Sequence, residues 1–166
     1  MKSKNEIDQT IEKYMRIAIE EAEIAKANGE NPFGAVLLDP EYNFCHKNHS
    51  RSVELSDPTA HAETLVIREY CQQHNKQNLK DYILISSGEP CIMCSGAIKW
   101  AEIQQIYFSA PQKIINKLSG GKRKPSCKGL INSGFSKKHI VGKVLLNEGI
   151  AALKSHKFNS KEKNNG

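Results

Sequence analysis

Short apolar runs of strand length alternate along this chain with segments of helical period, and that alternation restricts its fold more than any other feature. Phe33-Gly34-Ala35-Val36-Leu37-Leu38, Tyr82-Ile83-Leu84-Ile85-Ser86 and Ile106-Tyr107-Phe108 are too short for buried helices and read as strands. Ile11, Tyr14, Met15, Ala18, Ala22 and Ala25 form one stripe of a helix over 8–28, with Asp8 as its cap and Asn28-Gly29 as its stop. Asp57-Pro58-Thr59 leads into a helix over 60–74, and Pro90 into a second over 91–101. A strand over 42–48 pairs with the first across Asp39-Pro40. Residues 111–138 read as loop with one turn of helix, followed by a strand over 140–146 and a helix over 148–153. Strands separated by helices in this way stack as an α/β sandwich around one sheet.

The 166 residues suit a single domain, expected over 1–158, with a polar tail over 159–166. Five cysteines are too few for a disulfide scaffold. No apolar run reaches the length of a membrane span, and Met1-Lys2-Ser3-Lys4-Asn5-Glu6 opens no secretory apolar region. The expected setting is the cytoplasm, without a membrane partner. Charge is uneven. Residues 1–110 hold 11 basic and 16 acidic side chains, net −5, whereas residues 111–166 hold 13 and 2, net +11. Such a segment either attracts phosphate or forms a solvated surface.

Two short segments carry the chemistry: His61-Ala62-Glu63 and Pro90-Cys91-Ile92-Met93-Cys94. Cysteines at i and i+3 share one helix face, which suits either a metal or a dithiol couple. His61 adds the imidazole nitrogen that a borderline-soft ion such as zinc takes together with sulfur. Both segments begin helices, and two helix N-termini aimed at one point favour thiolates there. His61, Cys91 and Cys94 make three ligands, and a catalytic zinc site leaves its fourth position open. Cys45, Cys71 and Cys127 sit at no recognisable ligand spacing that would close the site. Glu63 lies where it can move a proton between water, a ring nitrogen and a leaving amine. H-x-E followed by P-C-x-x-C is the pattern of the zinc nucleobase deaminases.

Together with Pro32-Phe33-Gly34-Ala35-Val36, Asp57-Pro58-Thr59-Ala60 and Ser95-Gly96-Ala97-Ile98, these segments resemble the cytidine and deoxycytidylate deaminase superfamily. The guanine deaminase and tRNA adenosine deaminase branches are the nearest in appearance. The resemblance covers about residues 8–110. It implies a three-layer α/β/α cytidine deaminase-like fold with a five-stranded mixed sheet, zinc (Zn2+) at two adjacent helix N-termini, and a homodimer. It implies substrate contacts from Phe33, Asn48, Ala60 and Trp100, with Phe33 and Trp100 as walls of a slot and Asn48 holding the ring edge. The expected reaction replaces an exocyclic amine of a free nucleobase or small nucleoside by oxygen, most like guanine deaminase. Guanine recognition by a later acidic residue has no counterpart, because residues 111–147 contain no Asp or Glu. The alternative is a tRNA adenosine deaminase, favoured by the basic segment. Ser109-Ala110-Pro111-Gln112 departs from the tRNA enzymes, and Phe135 and Phe158 are the only aromatics after residue 110. A zinc-stabilised binding module without turnover would have no use for Glu63.

Overall fold

A computed structural model describes residues 2–120, 126–127, 139–154 and 156. The expected tail over 159–166 and most of the expected loop over 111–138 lie outside the described residues. The element order is α1 (Lys4–Ala27), β1 (Gly34–Leu38), β2 (Phe44–His49), α2 (Ala62–His74), β3 (Ile83–Gly88), α3 (Ile92–Trp100), β4 (Gln105–Ala110), α4 (Gln112–Ser119), β5 (His139–Gly142) and α5 (Leu146–Lys154). The strands form one sheet in the order β2-β1-β3-β4-β5. β1 runs antiparallel to both β2 and β3, whereas β3, β4 and β5 are parallel to one another. The sheet is therefore mixed and five-stranded, as expected.

Side-chain alternation along the strands sorts the core into two layers. Val36, Leu38, Ile83, Ile85 and Tyr107 face α1 and pack on Ile11, Met15 and Ala18. Ala35, Leu37, Leu84, Ile106 and Phe108 face the other way, onto Val66 and Tyr70 of α2 and Ile98 of α3. Every residue of β1 is buried, which explains why it reads as an unbroken apolar run.

α1 begins before the expected Asp8. Ser3 and Glu6 form a capping box: the Glu6 N–H donates to Ser3 Oγ at 3.3 Å, and the Ser3 N–H donates to Glu6 Oε2 at 2.7 Å. β2 begins at Phe44 because Tyr42, at φ 66°, turns the hairpin. β5 stops at Gly142, since Lys143 and Leu145 take left-handed backbone at φ 70° and 49°. The chain can then enter α5 two residues earlier than expected. α4 replaces part of the expected loop. Pro111 occupies its N-cap and Gly120, at φ 63°, ends it.

Gly34 allows α1 to reach the sheet. A Cβ there would lie 2.2 Å from the Ala18 carbonyl oxygen, 2.5 Å from Glu21 Cβ and 2.7 Å from the Ala22 nitrogen. Two of these atoms are helix backbone, which cannot rotate aside. We expect Gly34→Ala to cost about 2–3 kcal/mol, lowering Tm by roughly 5–10 °C. Thermal melts of the two proteins check this, and an unchanged Tm would refute the close contact.

Candidate active site

His61 and Cys91 are the N-cap residues of α2 and α3, and neither side chain makes a capping hydrogen bond. Their backbone carbonyls instead accept the first helical N–H groups, from Leu65 at 2.9 Å and Ser95 at 2.8 Å. An N-cap side chain that does not cap is available to point outward, and both point to one place. Cys91 Sγ lies 3.5 Å from His61 Nδ1, Cys94 Sγ lies 3.6 Å from the same nitrogen, and the two sulfurs are 3.6 Å apart. A tetrahedral zinc with Zn–S near 2.3 Å and Zn–N near 2.0–2.1 Å requires S···S of about 3.8 Å and S···N of about 3.6 Å. The donor types and spacings thus fit a zinc ion, with one coordination position left to solvent or substrate.

Local contacts fix this geometry. Asp57 accepts from the Thr59 N–H at 2.8 Å and the Thr59 hydroxyl at 2.7 Å, which turns the chain into α2. Further out, buried Glu30 accepts from the N–H groups of Val53 and Glu54 and ties the 50–60 loop to the end of α1.

Glu63 is buried beside the three candidate ligands. Its Oε1 accepts from the Ser86 hydroxyl at 3.0 Å, and its Oε2 lies 3.5 Å from Cys94 Sγ. Burial, reinforced by the negative Cys91 sulfur, raises its pKa above the usual carboxylate range, against the opposing pull of His61 and Ser86. Without a cation, the two sulfurs share one proton. Cys91 is pulled down to about 3, first by the Cys94 thiol and then by His61, while the Cys94 thiol is pushed up by its bond to Cys91 and by burial. A divalent cation at their centre favours thiolate at both.

A small cavity of about 130 Å³ opens beside this cluster. Its floor holds His61, Glu63 and Cys91, and α4 contributes Gln112, Ile115, Asn116 and Ser119 along one wall. Asn31, Phe33, Ser50 and Glu89 complete the lining. Phe33, expected as a wall of a substrate slot, is among these lining residues. Its ring lies over Gly88, where a Cβ would come within 2.9 Å of Phe33 Cε1.

The other three residues expected to bind substrate lie outside this lining. Asn48 is covered by α2: its Nδ2 donates to Glu69 Oε2 and its Oδ1 accepts from the His49 N–H, both at 2.9 Å. Its hydrogen-bonding groups serve the fold, and it does not line the cavity. Trp100 is 88% exposed at the far end of α3, on the opposite side from buried Ile98. Ala60 is fully buried under the loop, with its carbonyl accepting from the Arg51 N–H at 3.0 Å, and also stays outside the lining.

Asn31 and Ser50 are among the pocket residues that the sequence reading does not name as such, as are Glu89 and the four residues from α4. The Ser50 N–H donates to the Phe33 carbonyl at 3.0 Å, which aligns Ser50 with the Asn31–Phe33 side of the pocket. Neither the Ser50 hydroxyl nor the Asn31 amide has a hydrogen-bond partner among the described residues. Ser50 is moreover almost fully buried. Polar side chains in that state are the usual contacts for a ligand's polar edge.

Residues 8–110 match the cytidine and deoxycytidylate deaminase zinc-binding region. The chain belongs to this family. Its fold and its reaction class, zinc-dependent hydrolysis of C–N bonds, are those expected from the sequence. It is 41% identical over 102 residues to the tRNA-specific adenosine deaminase of Aquifex aeolicus, covering 61% of this chain and 67% of that protein. It is 39% identical over 79 residues to the guanine deaminase of Bacillus subtilis, covering 48% of this chain and 50% of that protein. Among solved structures, one from a study of A-to-I editing by tRNA:A34 deaminases superposes with a TM-score of 0.72 at 28% identity, covering 84% of this chain and 98% of that one. The guanine deaminase of Nitrosomonas europaea shares the fold, with a TM-score of 0.75 at 21% identity over 86% of this chain and 82% of that one. No helix among the described residues is long and apolar enough to cross a membrane.

Proposed function

We propose that this protein deaminates adenosine in tRNA to inosine, with zinc held by His61, Cys91 and Cys94 and with Glu63 carrying the protons. The choice of adenosine over guanine rests on the polar inventory of the pocket. Guanine presents a ring N–H and an amino group side by side, an edge of donors best met by a carboxylate. Glu63 lies at the candidate metal cluster, and Glu89, the other carboxylate in the lining, has both oxygens occupied by backbone N–H groups. Among the described lining residues, the Asn31 amide and the Ser50 hydroxyl are two polar groups without a hydrogen-bond partner. Each can donate as well as accept, which suits a purine edge rich in acceptors.

The relatives weigh the same way, since four tRNA-specific adenosine deaminases match at 35–41% identity. The net +11 of residues 111–166 supplies charge for a phosphate backbone.

The reaction exchanges an exocyclic C–NH₂ for C=O, consuming water and releasing ammonia. Zinc, when bound, supplies a Lewis acid that makes water acidic enough to lose a proton near neutral pH. Glu63 accepts that proton, delivers it to the ring nitrogen next to the reacting carbon, and then assists the departure of the amine. Its raised pKa suits a group that must both take and give a proton. Ser86 holds the Glu63 carboxylate in place through the 3.0 Å hydrogen bond. Phe33 excludes water from one side of the ring.

Phe33 also supports a second reading, a deaminase of free bases, because an aromatic wall suits a small planar ligand. The deciding experiment compares kcat/KM on tRNA anticodon stem-loops with kcat/KM on adenine, guanine and cytosine at moderate salt. The proposal expects the stem-loop to be preferred by at least about 100-fold, with binding that weakens steeply as salt rises. Preference for any free base would replace it with the second reading.

A further inference from the structure

Glu89 is buried, yet neither the metal cluster nor the proton path uses it. It follows the last residue of β3 and stands two residues before Cys91. Its N–H donates to the Ala110 carbonyl at 2.8 Å, extending the β3–β4 pairing past Gly88 and Ala110. Its carboxylate then reaches in two directions. Oε2 accepts from the Gln112 N–H at 2.7 Å, and Oε1 accepts from the Cys127 N–H at 2.8 Å and the Ser126 hydroxyl at 2.5 Å. No cation pairs with it among the described residues. A buried carboxylate in that position is sustained by hydrogen bonds from several donors and by helix-end charge.

α4 lacks a cap of its own. Its N-cap is Pro111, which has no side-chain acceptor, and its first turn contains no acid. Gln112 contributes the first helical N–H, and the Glu89 carboxylate meets it at the positive end of the helix dipole. The acceptor for α4 is thus supplied from the strand end that delivers Cys91. α4 in turn presents Gln112, Ile115, Asn116 and Ser119 to the cavity.

We infer that Glu89 is a positioning residue that caps α4 from outside and also grips residues 126–127, fixing the pocket wall relative to the Cys91 end of the metal cluster. Losing it leaves the candidate ligands and Glu63 in place but frees the wall that orients the substrate. A loss of this kind falls on KM more than on kcat.

The test uses the full chain with Glu89→Ala and Glu89→Gln, measuring zinc content, amide hydrogen exchange and steady-state kinetics. Glu89→Ala is expected to keep its zinc and to exchange α4 amides at least about tenfold faster, with α1 and α2 unchanged. KM should rise roughly tenfold while kcat falls by less than about threefold. Glu89→Gln keeps the shape but retains one acceptor, so it should fall between wild type and Glu89→Ala in both readouts. It also carries the test if the alanine variant does not fold. The kinetic arm rests on the deaminase reading and uses whichever substrate turns over, whereas the exchange arm needs no substrate. Unchanged α4 protection in both variants would overturn the inference. So would loss of zinc, which would make Glu89 a support of the metal site, or faster exchange throughout, which would make it a general stabiliser.

Discussion

Replacing Glu63 by Gln is expected to abolish turnover by about 10²–10⁴-fold or more while leaving zinc content and Tm close to wild type. Gln has the shape of Glu and can still accept from the Ser86 hydroxyl, which now meets Glu63 Oε1 at 3.0 Å. It cannot carry a proton from water to a ring nitrogen and on to a leaving amine. Because one carboxylate serves several transfers, its loss weighs on each of them. Near-normal kcat with zinc present would remove Glu63 from the proton path. Zinc loss would show that its contact 3.5 Å from Cys94 supports the metal instead.

The second large effect is expected at Cys94. This sulfur is fully buried, touches Thr64 Oγ1 at 3.4 Å and stands 3.6 Å from both Cys91 Sγ and His61 Nδ1. Cys94→Ala removes one corner of a three-donor set. Even outer-shell substitutions weaken metal binding by about 10–100-fold, so loss of a direct ligand should exceed about 100-fold. We expect the purified wild type to carry one zinc per chain and the variant to carry almost none, with turnover at background. Elemental analysis of both proteins after dialysis checks this. Full zinc in the variant would show that Cys94 is not a ligand.

The core of the candidate site was legible because its signals are local. Cys91 and Cys94 are one helical turn apart, and His61 and Glu63 straddle a helix start, so each pair is oriented by its own backbone whatever the sheet does. The strands β1 and β3 were legible for a similar reason, since burial on both faces leaves uninterrupted apolar runs. Long-range contacts decide which residues line the cavity. Asn48 and Ser50 are two residues apart and share a strand side, but Glu69 of α2 covers Asn48, whereas Ser50 lies beyond the end of β2 opposite Phe33. Nothing in the strand sequence announces that cover. Trp100 sits two residues from buried Ile98, about 200° around the helix, and exposed Ile92 shares its side. That phase was available once Cys94, Ser95 and Ile98 were taken as the inner face. α4 was missed because it buries only Gln112 and Ile115 and draws its N-terminal acceptor from Glu89, 23 residues upstream.

The product of a single turnover tests the proposed chemistry most directly. Zinc-loaded protein in excess is mixed with a tRNA anticodon stem-loop, and the RNA is digested to nucleosides for mass analysis. A tRNA adenosine deaminase gives inosine in amounts equal to the ammonia released, and Glu63→Gln gives neither. Unmodified adenosine in the RNA, with ammonia released from a free base by the same preparation, would contradict it.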